Sequence, residues 1–195
     1  MAALSFPPEL LVKAQGSGLG IKLAIFDVDG VLTDGRIYIS DRGEEFKAFN
    51  TLDGHGLKSL QQVGITPVII TGRDSPAVRR RVADLDLQHA VYGVRDKLAA
   101  ATPLLQQLGA SWSEVAAMGD DWPDLPLLAR AGFACAPPAA HAEVLAIAHH
   151  VTRAAAGYGA AREYCDVLLM AAGHYERLLG AHHDTLDGTS AGRAP

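Results

Sequence analysis

Residues 21–35 read IKLAIFDVDGVLTDG, and the rest of the chain is arranged around them. Residues 21–26 are apolar apart from Lys22. A short apolar run closed by a turn predicts a buried strand of a parallel sheet. Asp27 and Asp29 stand at its C-terminal end, followed by Gly30. Open α/β sheets bind ligands just outside the C-terminal ends of their strands. Two carboxylates at that edge are costly unless a cation or a reaction uses them. Gly30 lets the backbone turn away and leaves peptide N–H groups open to an anion. Taken alone, the stretch also fits a strand followed by an ordinary acidic turn.

Outward from this strand the chain alternates. Residues 36–40 and 45–49, joined by Asp41-Arg42-Gly43, carry a hairpin signal. Asp53-Gly54-His55-Gly56 opens a helix over residues 57–63, which Gly64 ends. Strands are predicted over residues 65–71, 89–92, 115–118, 133–136 and 151–152. Between them lie helical patterns over residues 75–85, 97–108 and 123–130, and a short helix from Ala139. Ser75 at the N-cap and Pro76 at the first position mark the start of the helix over residues 75–85. Residues 159–179 read as one long amphipathic helix. Strands alternating with helices predict an α/β fold with a doubly wound parallel sheet. Residues 1–20 read as an N-terminal extension with a short helix near residues 9–14 and a glycine-rich linker. Residues 21–180 read as one domain, and 181–195 as a flexible C-terminal tail.

Composition narrows the function. The chain has 195 residues, 49% of them hydrophobic and 20% charged, which predicts one soluble globular domain with a sizeable core. A net charge of −5 opposes a nucleic-acid surface, which is basic. No apolar run approaches the ~20 residues of a membrane-spanning helix. The N-terminus lacks the pattern of a signal peptide. Cys135 and Cys165 make neither a metal pair nor a disulfide framework. A cytoplasmic location follows as the expectation.

Further strand ends carry chemistry. Thr71-Gly72-Arg73 offers a hydroxyl, a flexible amide and a guanidinium, convergent donors that suit a phosphate group. Thr71 fits a turn-forming role as well. Lys97 opens a helix after the next strand; a helix lysine is ordinarily solvated, but its place makes it a candidate charge partner. Gly119-Asp120-Asp121 with Asp124 crowds carboxylates that a hard divalent cation would reconcile, although aspartates also cap helices. Parallel connections bring these ends to one edge. The set describes a phosphoryl-transfer site. Asp27 attacks phosphorus and forms an aspartyl-phosphate. Asp29 protonates the leaving alcohol and then activates water. Mg²⁺ and Lys97 offset charge on the transferred group, while Thr71 and the Gly72 amide hold its oxygens.

Asp27-Val-Asp29-Gly-Val-Leu-Thr-Asp34, then Thr71, Lys97 and Gly119-Asp-Asp121 with Asp124, resemble the motifs of the haloacid dehalogenase superfamily of phosphatases. GEEFKAFNTLDGHGLK, IITGR, GDDWPDLPLL and GYGAAREYCDVLL resemble, within it, the 3-deoxy-D-manno-octulosonate 8-phosphate phosphatase family. The resemblance implies a Mg²⁺-dependent phosphatase of a sugar acid phosphate in lipopolysaccharide biosynthesis, assembled as a homotetramer. It implies Asp27, the Asp29 backbone carbonyl and Asp120 as metal ligands, Asp124 helping through water, and Asp121 steadying Lys97. It implies a substrate loop of Asn50, Thr51, Asp53 and Gly54, with Lys58, Arg73, Arg81 and Lys97 meeting the anionic ends of the sugar acid. Two positions depart from the family pattern. Lys58 keeps a charge where Arg is frequent but lacks its planar fork, and Tyr158 stands where a tail Arg is frequent.

The intervals between Asp29 and Thr71, and between Thr71 and Lys97, leave no room for a separate cap domain. Something else must exclude water, and a neighbouring subunit is the expected supplier, through residues 152–162. His55 is a candidate ligand contact, whereas His149-His150 and His182-His183 read as surface positions. Competing readings are a phosphatase of another nine-carbon sugar acid phosphate, a phospho-accepting receiver domain, and an inactive assembly domain. A receiver keeps its accepting Asp after the third strand; here that strand ends in Tyr92-Gly93. The intact Asp27, Asp29, Lys97 and Asp120 oppose the inactive domain.

Overall fold

The computed structural model describes residues 3–16 and 20–187. Helix α1, Pro8–Ala14, begins with proline, whose missing N–H is no loss in a first turn. Ala14 is buried, and the Gln15 amide donates to the Ala171 carbonyl at 3.2 Å. Phe6, Leu10 and Leu11 pack on the core as well. The expected N-terminal extension is therefore part of the domain over its described residues.

The strands β1 (Leu23–Phe26), β4 (Thr66–Ile70), β5 (His89–Val91), β6 (Val115–Met118), β7 (Phe133–Ala136) and β8 (His150–Val151) form one sheet in the order β5-β4-β1-β6-β7-β8. All its pairings are parallel. β1 is central: Phe26 lies opposite Ile69 on β4 and Met118 on β6. Every residue of β1, β6 and β7 is buried, as a sheet covered on both faces requires. The chain leaves β1 toward β4 and β5, then returns to the other side of β1 as β6. That reversal opens a crevice at the C-terminal edge beside β1.

One face is covered by α1, α2 (Thr51–Gln62), α3 (Pro76–Asp84) and α7 (Ala160–Ala171), the other by α4 (Lys97–Gln107), α5 (Leu125–Leu128) and α6 (Ala142–Ile147). Phe26 and Tyr164 meet edge-on at 5.2 Å between ring centres in the first core. Strands β2 (Tyr38–Ser40) and β3 (Gly43–Phe46) make the expected antiparallel hairpin, apart from the main sheet. Tyr38 and Phe46 stack at 4.4 Å while remaining exposed. Among the described residues no helix is long and apolar enough to cross a membrane.

Three expectations need correction. α2 starts at Thr51 rather than residue 57, because the Asn50 side chain accepts the Leu52 N–H at 2.9 Å and caps it. Its glycines survive in the helix because Gly54 lies against Arg81 and Gly56 against Cys165, where a Cβ would collide. The long helix over 159–179 is two helices. Gly173 adopts φ +74°, and the His174 N–H reaches back to the Leu169 carbonyl at 2.9 Å, closing α7. Helix α8, Tyr175–Asp187, then runs into the segment expected to be a flexible tail. Of that tail, residues 188–195 lie outside the described residues.

Candidate active site

The β1 edge is shaped by backbone geometry. Asp27 is still in the ladder, its N–H donating to the Met118 carbonyl at 3.1 Å. The chain then makes a tight turn in which the N–H groups of Val31, Leu32 and Thr33 converge on the Val28 carbonyl. Gly30 has φ +87°, and a Cβ there would strike the Asp120 carboxylate. Glycine is thus needed at this position for both backbone conformation and close approach.

Lys97 is the first residue of α4, which Asp96 caps by accepting the Ala99 N–H at 2.9 Å. Its side chain is 4% exposed, with Nζ 2.7 Å from Asp27 and 2.6 Å from Asp124. Burial works against the ammonium charge, but the carboxylates of Asp27 and Asp124 outweigh it and hold the Lys97 pKa above its ordinary value. The other oxygen of Asp124 accepts the N–H groups of Asp120 at 3.1 Å and Asp121 at 3.4 Å. Asp124, not Asp121, therefore steadies Lys97. Asp121 is exposed and lies in the cavity wall.

Burial, then repulsion from Asp124, pushes Asp27 up to about 6 against the pull of Lys97. Burial, then the charges of Asp27 and Asp124, pushes Asp120 up to about 7. Asp27, Asp120 and Asp124 each offer a carboxylate oxygen, and these lie within 4.8 Å of one another. An oxygen-only set of crowded, partly buried carboxylates fits Mg²⁺, whose charge would offset their repulsion. Both oxygens of Asp124 are already engaged, one by Lys97 and one by the Asp120 N–H.

A cavity of about 710 Å³ opens over this cluster, walled by Asp27, Asp29, Thr71, Gly72, Arg73 and Lys97 among others. Thr71 is buried, and its hydroxyl accepts the Arg73 N–H at 3.3 Å, so it shapes the turn as well as lining the cavity. Asp29 is held by two cations: Lys47 Nζ lies 2.5 Å from one oxygen, and Arg73 Nε 3.6 Å from the other. Lys47 did not emerge from the sequence, because a lysine just beyond a hairpin strand reads as solvated.

The residues of the implied substrate loop, Asn50, Thr51, Asp53 and Gly54, lie outside the wall of this cavity, as do Lys58 and Arg81. Thr51 and Lys58 are exposed on α2. Asp53 is buried and accepts the backbone N–H of Arg162 at 2.8 Å. Burial raises its pKa, against the pull of the Arg162 and Gly159 N–H groups. Arg81 packs against Gly54 and donates to the Asn50 carbonyl at 3.0 Å. His55 is exposed and faces His182, 5.8 Å between ring centres.

Residues 152–162 belong to their own fold more than the sequence suggested. The Thr152 N–H donates to Ala136, the Gly157 N–H to Val31, and the Asn50 amide to the Gly157 carbonyl at 3.4 Å. Glu163 accepts the N–H groups of Arg153 and Ala154 at 3.0–3.1 Å and contacts His150 Nε2 at 3.0 Å. Tyr158 projects, 66% exposed, and Arg153 and Ala155 are exposed beside it.

Comparison with known proteins agrees with this geometry. The haloacid dehalogenase-like hydrolase family pattern matches residues 95–163. The 3-deoxy-D-manno-octulosonate 8-phosphate phosphatase KdsC of Escherichia coli (strain K12) is 41% identical over 172 residues, covering 88% of this chain and 89% of that protein. The crystal structure of 3-deoxy-D-manno-octulosonate 8-phosphate phosphatase from Yersinia pestis superimposes with TM-score 0.82 at 41% identity, over 87% of this chain and 89% of that one. The enzyme of the same name from Moraxella catarrhalis, in complex with magnesium, phosphate and KDO, gives TM-score 0.85 at 38% identity, over 91% of this chain and 99% of that one. With its carboxylate cluster, its sheet order and this degree of identity, the chain belongs to the 3-deoxy-D-manno-octulosonate 8-phosphate phosphatase family of haloacid dehalogenase-like hydrolases.

Proposed function

We propose that the chain hydrolyses 3-deoxy-D-manno-octulosonate 8-phosphate to the free sugar acid and phosphate. The observation that carries this is Lys97 bridging Asp27 and Asp124, with Asp120 beside them and Asp29 two residues along. Asp27 is the nucleophile: a carboxylate oxygen forms a bond to phosphorus as the sugar oxygen departs. Asp29 gives that oxygen its proton, then takes one from the water that releases phosphate from Asp27. Lys97 offsets negative charge beside Asp27 throughout, and the Thr71 hydroxyl and Gly72 amide hold phosphoryl oxygens. Asp27, Asp120 and the Asp29 carbonyl, with Asp124 behind them, would hold Mg²⁺, which would supply further positive charge at the phosphoryl group. Arg73 and Arg95, in the cavity wall, suit the carboxylate of a sugar acid.

We also infer a homo-oligomer, a tetramer by family resemblance, working in the cytoplasm. The cavity is open, and the exposed Tyr38, Ile39 and Phe46 of the hairpin offer an apolar contact for another subunit. Light scattering that finds a monomer with full activity would refute this cover. The substrate is tested by phosphate release from a panel of sugar phosphates with Mg²⁺. The eight-carbon acid phosphate is expected to give the highest kcat/KM, and preference for a nine-carbon acid phosphate would reassign the substrate.

A further inference from the structure

Lys47 lies immediately after β3, on the hairpin, where a long cationic side chain would ordinarily reach for water. Instead its side chain is 0% exposed and its Nζ is 2.5 Å from Asp29 Oδ1. Its neighbour Phe46 is 53% exposed, so burial is particular to the lysine. A withdrawn ammonium is costly unless an anion compensates it. Asp29 and Arg73 line the cavity, whereas Lys47 stands outside its wall and reaches Asp29 from the hairpin side. The two oxygens of Asp29 are thereby distinguished. Oδ1 is held by Lys47, and Oδ2 lies 3.6 Å from Arg73 on the cavity side.

We infer that Lys47 is a positioning residue for proton transfer: it pins Oδ1 of Asp29 so that Oδ2 faces the oxygen between phosphorus and the leaving alcohol. This rests on the phosphatase reading above. In the first half-reaction the Asp27–phosphorus bond forms and the phosphorus–oxygen bond to the alcohol breaks. The Asp29 proton goes to that alcohol oxygen, leaving a carboxylate. In the second half, water gives a proton to Asp29 and its oxygen bonds to phosphorus, while the Asp27–phosphorus bond breaks and phosphate leaves. A carboxylate free to rotate would present its proton to the alcohol oxygen only part of the time. Two cations from different elements, the hairpin and the turn after β4, remove that freedom.

An alkyl phosphate needs the proton, whereas p-nitrophenolate departs as an anion without it. Lys47→Met is compared with wild type on the sugar acid phosphate and on p-nitrophenyl phosphate. The value of kcat/KM reports steps up to departure of the alcohol. The expected result is at least a tenfold fall in the alkyl-to-aryl ratio of kcat/KM, within the ~10²–10⁴-fold range of acid–base assistance. The loss on the alkyl substrate is expected in kcat, with KM within about threefold, and Lys47→Arg is expected to recover most of it. An unchanged ratio, an effect on KM alone, or no recovery with Arg overturns the assignment. If Lys47→Met fails to fold, Lys47→Gln carries the same comparison. The ratio is read on whichever alkyl phosphate wild type hydrolyses, so failure of the substrate assignment shows in wild type alone.

Discussion

Asp53 Oδ1 accepts the backbone N–H of Arg162 at 2.8 Å, joining residues 109 positions apart in sequence. The carboxylate of α2 thus serves the first turn of α7, whose N-cap, Gly159, has no side chain to offer. Asp53→Ala is expected to lower stability by about 1 kcal/mol, the usual cost of a lost cap. Asp53→Asn keeps an acceptor and should lose less. Thermal unfolding of both variants checks this, and an Ala variant as stable as wild type but inactive would return Asp53 to a substrate role.

Asp27→Asn preserves shape and removes the attacking charge. Turnover is expected to fall by several orders of magnitude with the circular dichroism spectrum unchanged, since only positioning remains. Near-normal phosphate release by the folded variant would end the aspartyl-phosphate mechanism.

Asp120→Asn removes one charge from a cluster that burial and repulsion already strain. Without metal, the variant should melt at or above the wild-type temperature. With Mg²⁺, wild type should gain stability and the variant little, because binding to the folded state alone is stabilising. Melting curves with and without a chelator decide it; equal Mg²⁺ stabilisation of both proteins would remove Asp120 from the ligand set.

Glu163 provides a pH test remote from the metal site. Burial opposes its charge, but the hydrogen bonds from His150, Ala154 and Arg153 prevail and hold its pKa below the ordinary 4.5. A folded-state pKa below the unfolded one contributes stability that is complete above pH 4.5 and lost as pH falls through the lower folded value. Glu163→Gln should flatten that part of the unfolding profile. A variant with the wild-type acid slope would show that this hub contributes nothing to it.

The sequence by itself determined the parallel α/β alternation and the strand ends bearing Asp27, Thr71, Lys97 and Asp120. Those features are local: apolar runs of strand length, turn residues, and chemistry placed where a parallel sheet gathers it. The neighbourhood of Asp27 was legible because costly carboxylates at a strand end admit few explanations. Only the tertiary structure decided which carboxylate steadies Lys97. Asp121 and Asp124 are alike in sequence, but the tight turn at Trp122–Asp124 points Asp124 inward and leaves Asp121 in the wall. Only the tertiary structure gave Lys47 to Asp29 and Asp53 to α7, since each pairing joins elements distant along the chain. The break at Gly173 was not legible in the sequence, where the apolar period of residues 159–179 fits one continuing helix. Packing of α7 against the core and the reversed turn at Gly173 selected the end. Side-chain partners across such distances depend on how the layers pack, and no local pattern encodes them.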